Sequence, residues 1–217
     1  MIKGLYVGTM QKISNCFFMK SILICWGVCC LVYAFMFCSF FWGNHDWEYF
    51  RHGVDLNSGF FEARYSQHLF SVLFFEGHFF PVITMLISLL GLVIFSLLSA
   101  KYLQLPEKFS LYIFFSLFIG LNPHIFALFY YQHLLIPFVF WPLLCLAVMY
   151  WFEQKICWQR FICLFVVLGL ALGGYPPIFT VLFCLFIARR LFDFLENKFC
   201  FRDIIKLCIL FGSALIL

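Results

Sequence analysis

Six apolar runs, each close to the roughly 20 residues that carry an α-helix across a bilayer, leave this chain few ways to fold. They are Ser21–Trp42, Phe79–Ala100, Phe109–Tyr131, Leu134–Phe152, Ile156–Gly174 and Pro177–Phe194. A seventh run, Ile204–Leu217, has only 14 residues, so the sequence reads as the N-terminal part of a longer protein. Composition agrees with a lipid-solvated chain: 65% of residues are hydrophobic, 11% are charged and the mean hydropathy is +1.01. Backbone polar groups in hydrocarbon must pair within their own segment, so the expected fold class is all-α, a polytopic transmembrane helix bundle. The expected organisation is a cytoplasmic segment 1–20 followed by a membrane domain 21–217.

Local breakers divide the runs. Asn122-Pro123 interrupts the third span, and Gly174-Tyr175-Pro176-Pro177 predicts a tight turn between the fifth and sixth, because proline can start a helix but not continue one. Gly169 and Gly173 form a small-xxx-small pair suited to close helix packing. Lys and Arg accumulate in cytoplasmic loops, and threading the N-terminus inside puts twelve of the 14 basic residues on or near that face, leaving Arg51 and Arg64 outside. All six histidines then fall at the outer face. The first run is longer than a signal-peptide core and lacks a small-x-small cleavage site, so it reads as an uncleaved anchor. Eleven cysteines show no CxxC pair, no zinc spacing and none within Gly43–His78, and they read as small buried apolar residues rather than a disulfide framework. The net charge of +4 belongs to the cytoplasmic loops, with no basic stripe for a phosphate backbone, which argues against a nucleic-acid partner.

Gly43–His78 is the one long polar segment. It holds five carboxylates (Asp46, Glu48, Asp55, Glu62, Glu76), two arginines (Arg51, Arg64) and four of the six histidines. Asp46-Trp47-Glu48 emerges from the first span with an aromatic at the interface. Asp55–Gly59 is turn-like, and Glu62–His68 leads into Leu69–Phe75, too short to span and too apolar for water, which is expected to lie along the outer membrane surface as an interfacial helix. Asp46 and Arg64 would then sit beside the headgroups, within reach of a lipid-linked substrate.

A first span, an outer Asp-aromatic-acid motif (Asp46-Trp47-Glu48), an arginine further along (Arg64), an interfacial segment and a proline-led second span resemble the glucosyltransferase II family of O-antigen-modifying enzymes, similar in layout to the wider GT-C glycosyltransferases. Two departures stand out: Ala63 occupies the place of the family's glycine before Arg64, and Glu48 lies one residue further from Asp46 than an adjacent acid pair would. The resemblance implies a GT-C-like bundle in the bacterial inner membrane, a polyprenyl-phosphate sugar donor, with glucose as the sugar, and a glycan acceptor on the outer face. Transfer from a lipid phosphate needs a carboxylate to take the acceptor proton and a cation for the departing phosphate. Asp46, with Glu48 beside it, is the candidate base; Arg64 is the candidate phosphate partner, backed by Arg51, His52 and His68. Phosphate is already a good leaving group, so the scheme needs no metal and no cofactor.

Blander readings compete at each position. An acid at a membrane interface is usually just solvated, and Arg64 can anchor to headgroups by snorkelling. The loop histidines show no HxxxH or HxH metal spacing. A break at Asn122-Pro123-His124 suits either a cavity lining or a simple turn. Among other function classes, a secondary transporter would carry ionisable groups near the midplane, and the spans read as essentially free of them. A noncatalytic scaffold would tolerate free replacement of Asp46 and Arg64.

Overall fold

The structure, a computed structural model, describes residues 2–39, 51–53, 65–76, 78, 80–122, 135–154, 158–173, 176–196, 205 and 212. Among these residues the chain is helical without strands. Eight helices follow one another: α1 (Ile2–Val32), α2 (Ala34–Ser39), α3 (Tyr65–Phe75), α4 (Pro81–Tyr102), α5 (Phe109–Gly120), α6 (Leu135–Gln154), α7 (Trp158–Leu172) and α8 (Pro176–Leu195). Helices occupy the expected apolar runs, with shifted ends. Helix α1 extends the first back to Ile2, α5 stops before the Asn122-Pro123 break, and α8 starts on Pro176, where the missing N–H of a proline costs nothing. Leu69–Phe75 is helical, as part of α3. The seventh span lies outside the described residues, apart from Ile205 and Gly212.

Helix α4 is the hub. Among the described residues Val82–Tyr102 is the one stretch long and apolar enough to cross a membrane, with a mean hydropathy of 2.5; Phe17–Val32, Phe109–Gly120, Val139–Glu153 and Trp158–Leu172 are shorter apolar helices. One face of α4, through Met85, Leu89, Val93, Leu97 and Ala100, packs with Cys25 and Cys29 of α1, Tyr33 just beyond it, Met36 of α2 and Tyr112 of α5. Another face, through Phe95 and Tyr102, joins Leu146, Met149 and Phe152 of α6, Leu164 and Leu168 of α7, and Leu182 and Phe186 of α8. The spacing of three and four residues along each face is that of an α-helix burying two sides. Gly91 lets α6 approach: a Cβ there would run into Val139. The helix then closes with a full Schellman turn, Gln104 N–H to Lys101 O at 3.0 Å and Leu105 N–H to Ala100 O at 3.1 Å, with Gln104 in the left-handed region at φ 55°.

Contact register gives each helix a direction. Phe17 of α1 meets Phe109 and Tyr112 at the start of α5, with ring centroids 5.6 Å apart, while Cys29 and Tyr33 reach Gly120 at its end, so these two helices run parallel. In the same way Gly91 faces Val139 and Leu143, and eleven residues later Tyr102 reaches Glu153, so α4 and α6 are parallel. Helices α6 and α7 form an antiparallel hairpin through Cys145 Sγ to Val167 O at 3.6 Å and Arg160 to Trp151 O at 2.5 Å. Successive long helices therefore alternate in direction, and Lys20, Lys101, Lys108, Arg160, Arg189 and Arg190 gather at one end of the bundle.

The outer surface is largely apolar, around a core that is itself mostly apolar. Large apolar side chains face outward on every long helix: Leu31 (78% exposed), Phe114 (69%), Trp158 (72%) and Leu195 (74%) are the extremes. Inside lie Ser88, Ser96, Ser99 and Ser116, and with them the charged Arg189 and Asp193.

Candidate functional site

The polar segment Gly43–His78 is only partly described. Asp46, Glu48 and Arg64 lie outside the described residues. Arg51 and His52 occupy one helical turn, both exposed, and the turn ends at Gly53 with φ 73°, a left-handed conformation that glycine takes without strain. His68, the third described candidate, is 2% exposed on α3. Arg51 and His52 thus face solvent, whereas His68 belongs to the interior. Helix α3 docks by one aromatic anchor: Phe70 is buried, with its ring centroid 4.7 Å from Phe140 and 6.4 Å from Trp141 of α6, while Leu73 and Phe74 stay exposed. An 11-residue helix with one buried and one bare apolar side is what an interfacial element needs, and it sits at the end of the bundle opposite the basic residues.

At the basic end the structure assembles a polar cluster that reading the sequence missed. The last turns of α4 and α6 and the C-terminal half of α8 converge. Tyr102 Oη donates to Glu153 Oε1 at 2.7 Å, and the same oxygen takes Arg190 Nη2. Arg190 Nη1 reaches Asp193 Oδ2 at 2.8 Å, and Arg189 Nη2 reaches Asp193 Oδ1 at 3.1 Å. Arg190 also lies over the Phe186 ring, 5.3 Å from its centroid. Two guanidinium groups and two carboxylates cancel in formal charge, which is how such groups tolerate burial. Sequence reading put Arg189 and Arg190 on or near the cytoplasmic face and counted the spans as essentially free of ionisable groups. At that end α8 buries Arg189 and Asp193 and leaves Arg190 partly buried. A signal was available: Arg189 and Arg190 stand four and three residues before Asp193, on one helical face of an apolar run.

Beside the cluster a cleft of about 470 Å³ opens, lined by Lys101, Gln104, Glu107, Tyr112, Tyr150 and Arg189 among others. A volume of this size suits a small molecule. Among the described residues no group of three or more His, Cys, Asp or Glu is placed to hold a metal ion. The chemistry the cluster offers is charge pairing and hydrogen-bond donation. Comparison with protein-family models, with curated proteins and with solved structures finds no match to this chain.

Proposed function

We propose that this chain is a multi-pass protein of a plasma membrane, its N-terminus and basic bundle end cytoplasmic and Gly43–His78 outside, and that it transfers a sugar from a polyprenyl phosphate to an outer glycan. The observation that carries the membrane part is the apolar outer surface: Leu31, Phe114, Trp158 and Leu195 face outward, while several serines and a paired Arg–Asp cluster lie inside the core. Water would not tolerate so much exposed apolar surface on a stable monomer. The transferase part rests on the motif resemblance. Asp46 takes the proton of the acceptor hydroxyl, with Glu48 beside it, Arg64 holds the departing phosphate, and Arg51, His52 and His68 are the further polar groups of the segment. The support from the fold is that α3 docks at the end opposite the basic residues, where a lipid-linked donor on the outer leaflet would be met.

Two measurements test the two parts separately. A single cysteine introduced at Ser58 should react with an impermeant thiol reagent added from outside; reaction only after the cytoplasmic side is opened sinks the topology. Glycosyl transfer, assayed with the complete reading frame, a polyprenyl-phosphate sugar and an O-antigen-type glycan, should fall about 10²–10⁴-fold in Asp46→Asn, the usual cost of losing a general base. Undiminished transfer in Asp46→Asn removes Asp46 from the mechanism. Absence of transfer by the native protein leaves the noncatalytic scaffold as the better reading.

A further inference from the structure

The cleft at the basic end has no part in the outer-face chemistry, and the pairing pattern around it is incomplete. Glu153 already accepts from Tyr102 and Arg190, and Asp193 already takes Arg190 Nη1 at 2.8 Å and Arg189 Nη2 at 3.1 Å. Both carboxylates are ion-paired, and Glu153 is itself part of the cleft wall. Arg189 lines the cleft and is only 9% exposed, yet its Nε and Nη1 are buried without a hydrogen-bond partner. Unpaired donors on a buried cation are unfavourable and call for an acceptor. Lys101, exposed in the last turn of α4, lines the same cleft, as do Tyr112 and Tyr150. Glu107, on the connection to α5, is the remaining acid of the wall and is exposed, so its charge is screened by solvent.

We infer that this cleft binds a phosphate group presented to the basic end of the bundle. Phosphate brings three acceptor oxygens, enough to engage Arg189, Lys101 and a tyrosine hydroxyl together. The carrier is either a lipid headgroup or a small soluble phosphate ester, and the cleft of about 470 Å³ accommodates a group of that size. The inference is independent of the proposed transferase activity.

Thermal unfolding of the purified full chain in maltoside micelles, which contain no phosphate, tests it. Glycerol phosphate is titrated in one arm, and phosphatidylglycerol is added to the micelles in the other. Either probe should raise the unfolding midpoint, because a ligand of the folded state stabilises it. Arg189→Gln and Lys101→Gln should each need roughly tenfold more probe for the same rise, the usual effect of one lost charge-assisted hydrogen bond. Lys101 is exposed at a helix end, so its variant folds even if Arg189→Gln does not. A response to glycerol phosphate assigns a soluble ester, and a response to phosphatidylglycerol alone assigns a headgroup. No response to either probe, or a response unchanged in Lys101→Gln, overturns the site.

Discussion

Tyr33 Oη donates a 2.9 Å hydrogen bond to the carbonyl of Gly120, joining the far end of α1 to the last residue of α5. The final carbonyls of a helix lack intrahelical partners, so a buried tyrosine hydroxyl here acts as a cap delivered from another helix. Tyr33→Phe keeps the ring, which is 1% exposed, and removes only the donor. It should lower stability by about 1 kcal/mol, measured as a shift in the denaturing-detergent midpoint. An unchanged midpoint would mean that water or another donor already serves Gly120.

Gly91 sets how closely α6 approaches α4. An alanine Cβ would collide with Val139, whose β-branched side chain has one strongly preferred rotamer in a helix and cannot swing away. Helix propensity favours Gly91→Ala by about 1 kcal/mol, but overpacking typically costs about 1–3 kcal/mol, so the variant should be net destabilised. In a Val139→Ala background the collision is gone, and Gly91→Ala should become neutral or stabilising. A double-mutant cycle on unfolding midpoints reads the difference; simple additivity would show that the two residues do not touch.

Gln104 holds a position that glycine prefers. Its φ of 55° is required by the Schellman turn that ends α4, and a side chain there costs about 1–2 kcal/mol relative to glycine. Glycine loses more freedom on folding, which offsets part of the gain. Gln104→Gly should therefore stabilise the protein by about 0.5–1 kcal/mol, and Gln104→Val should destabilise it, since branching at Cβ worsens the strain. Thermal midpoints of the two variants moving in the same direction would contradict a left-handed Gln104.

Glu153 is the acceptor that ties α6 to both α4 and α8. Glu153→Ala strands Arg190 with fewer anionic partners and should cost about 1.5–3 kcal/mol, the usual range for a lost hydrogen bond to a charged group in a partly buried pair. Adding Arg190→Leu removes the stranded charge. The double variant should recover much of the loss in the same unfolding assay, whereas a further fall would show that Arg190 is held mainly by Asp193 and Phe186.

Much of the architecture was legible along the chain because it is set by local physics. Apolar run lengths predicted the helices, Pro176-Pro177 marked the start of α8, and Asn122-Pro123 marked the limit of α5. The helicity of Leu69–Phe75 could also be read. The outer candidates Arg51, His52 and His68 were legible as residue types, but their environments were not: two are exposed and one is buried.

Which helices touch, and through which faces, was decided only in three dimensions. A helix that is apolar on all sides carries no stripe to say which side is buried, so nothing local distinguishes Phe95, facing α6, from the outward Ile87. Glycines at close contacts were equally silent: the Gly169–Gly173 spacing drew notice, whereas Gly91 and Gly120 received none and meet Val139 and Cys29. The polar cluster shows the reason most directly. Tyr102 and Glu153 are 51 residues apart, and Glu153 and Arg190 are 37 apart. Each residue had only the local meaning of a group near a helix end. Packing α4, α6 and α8 in parallel brings those ends together, and buried charge must then find its counter-charge within reach.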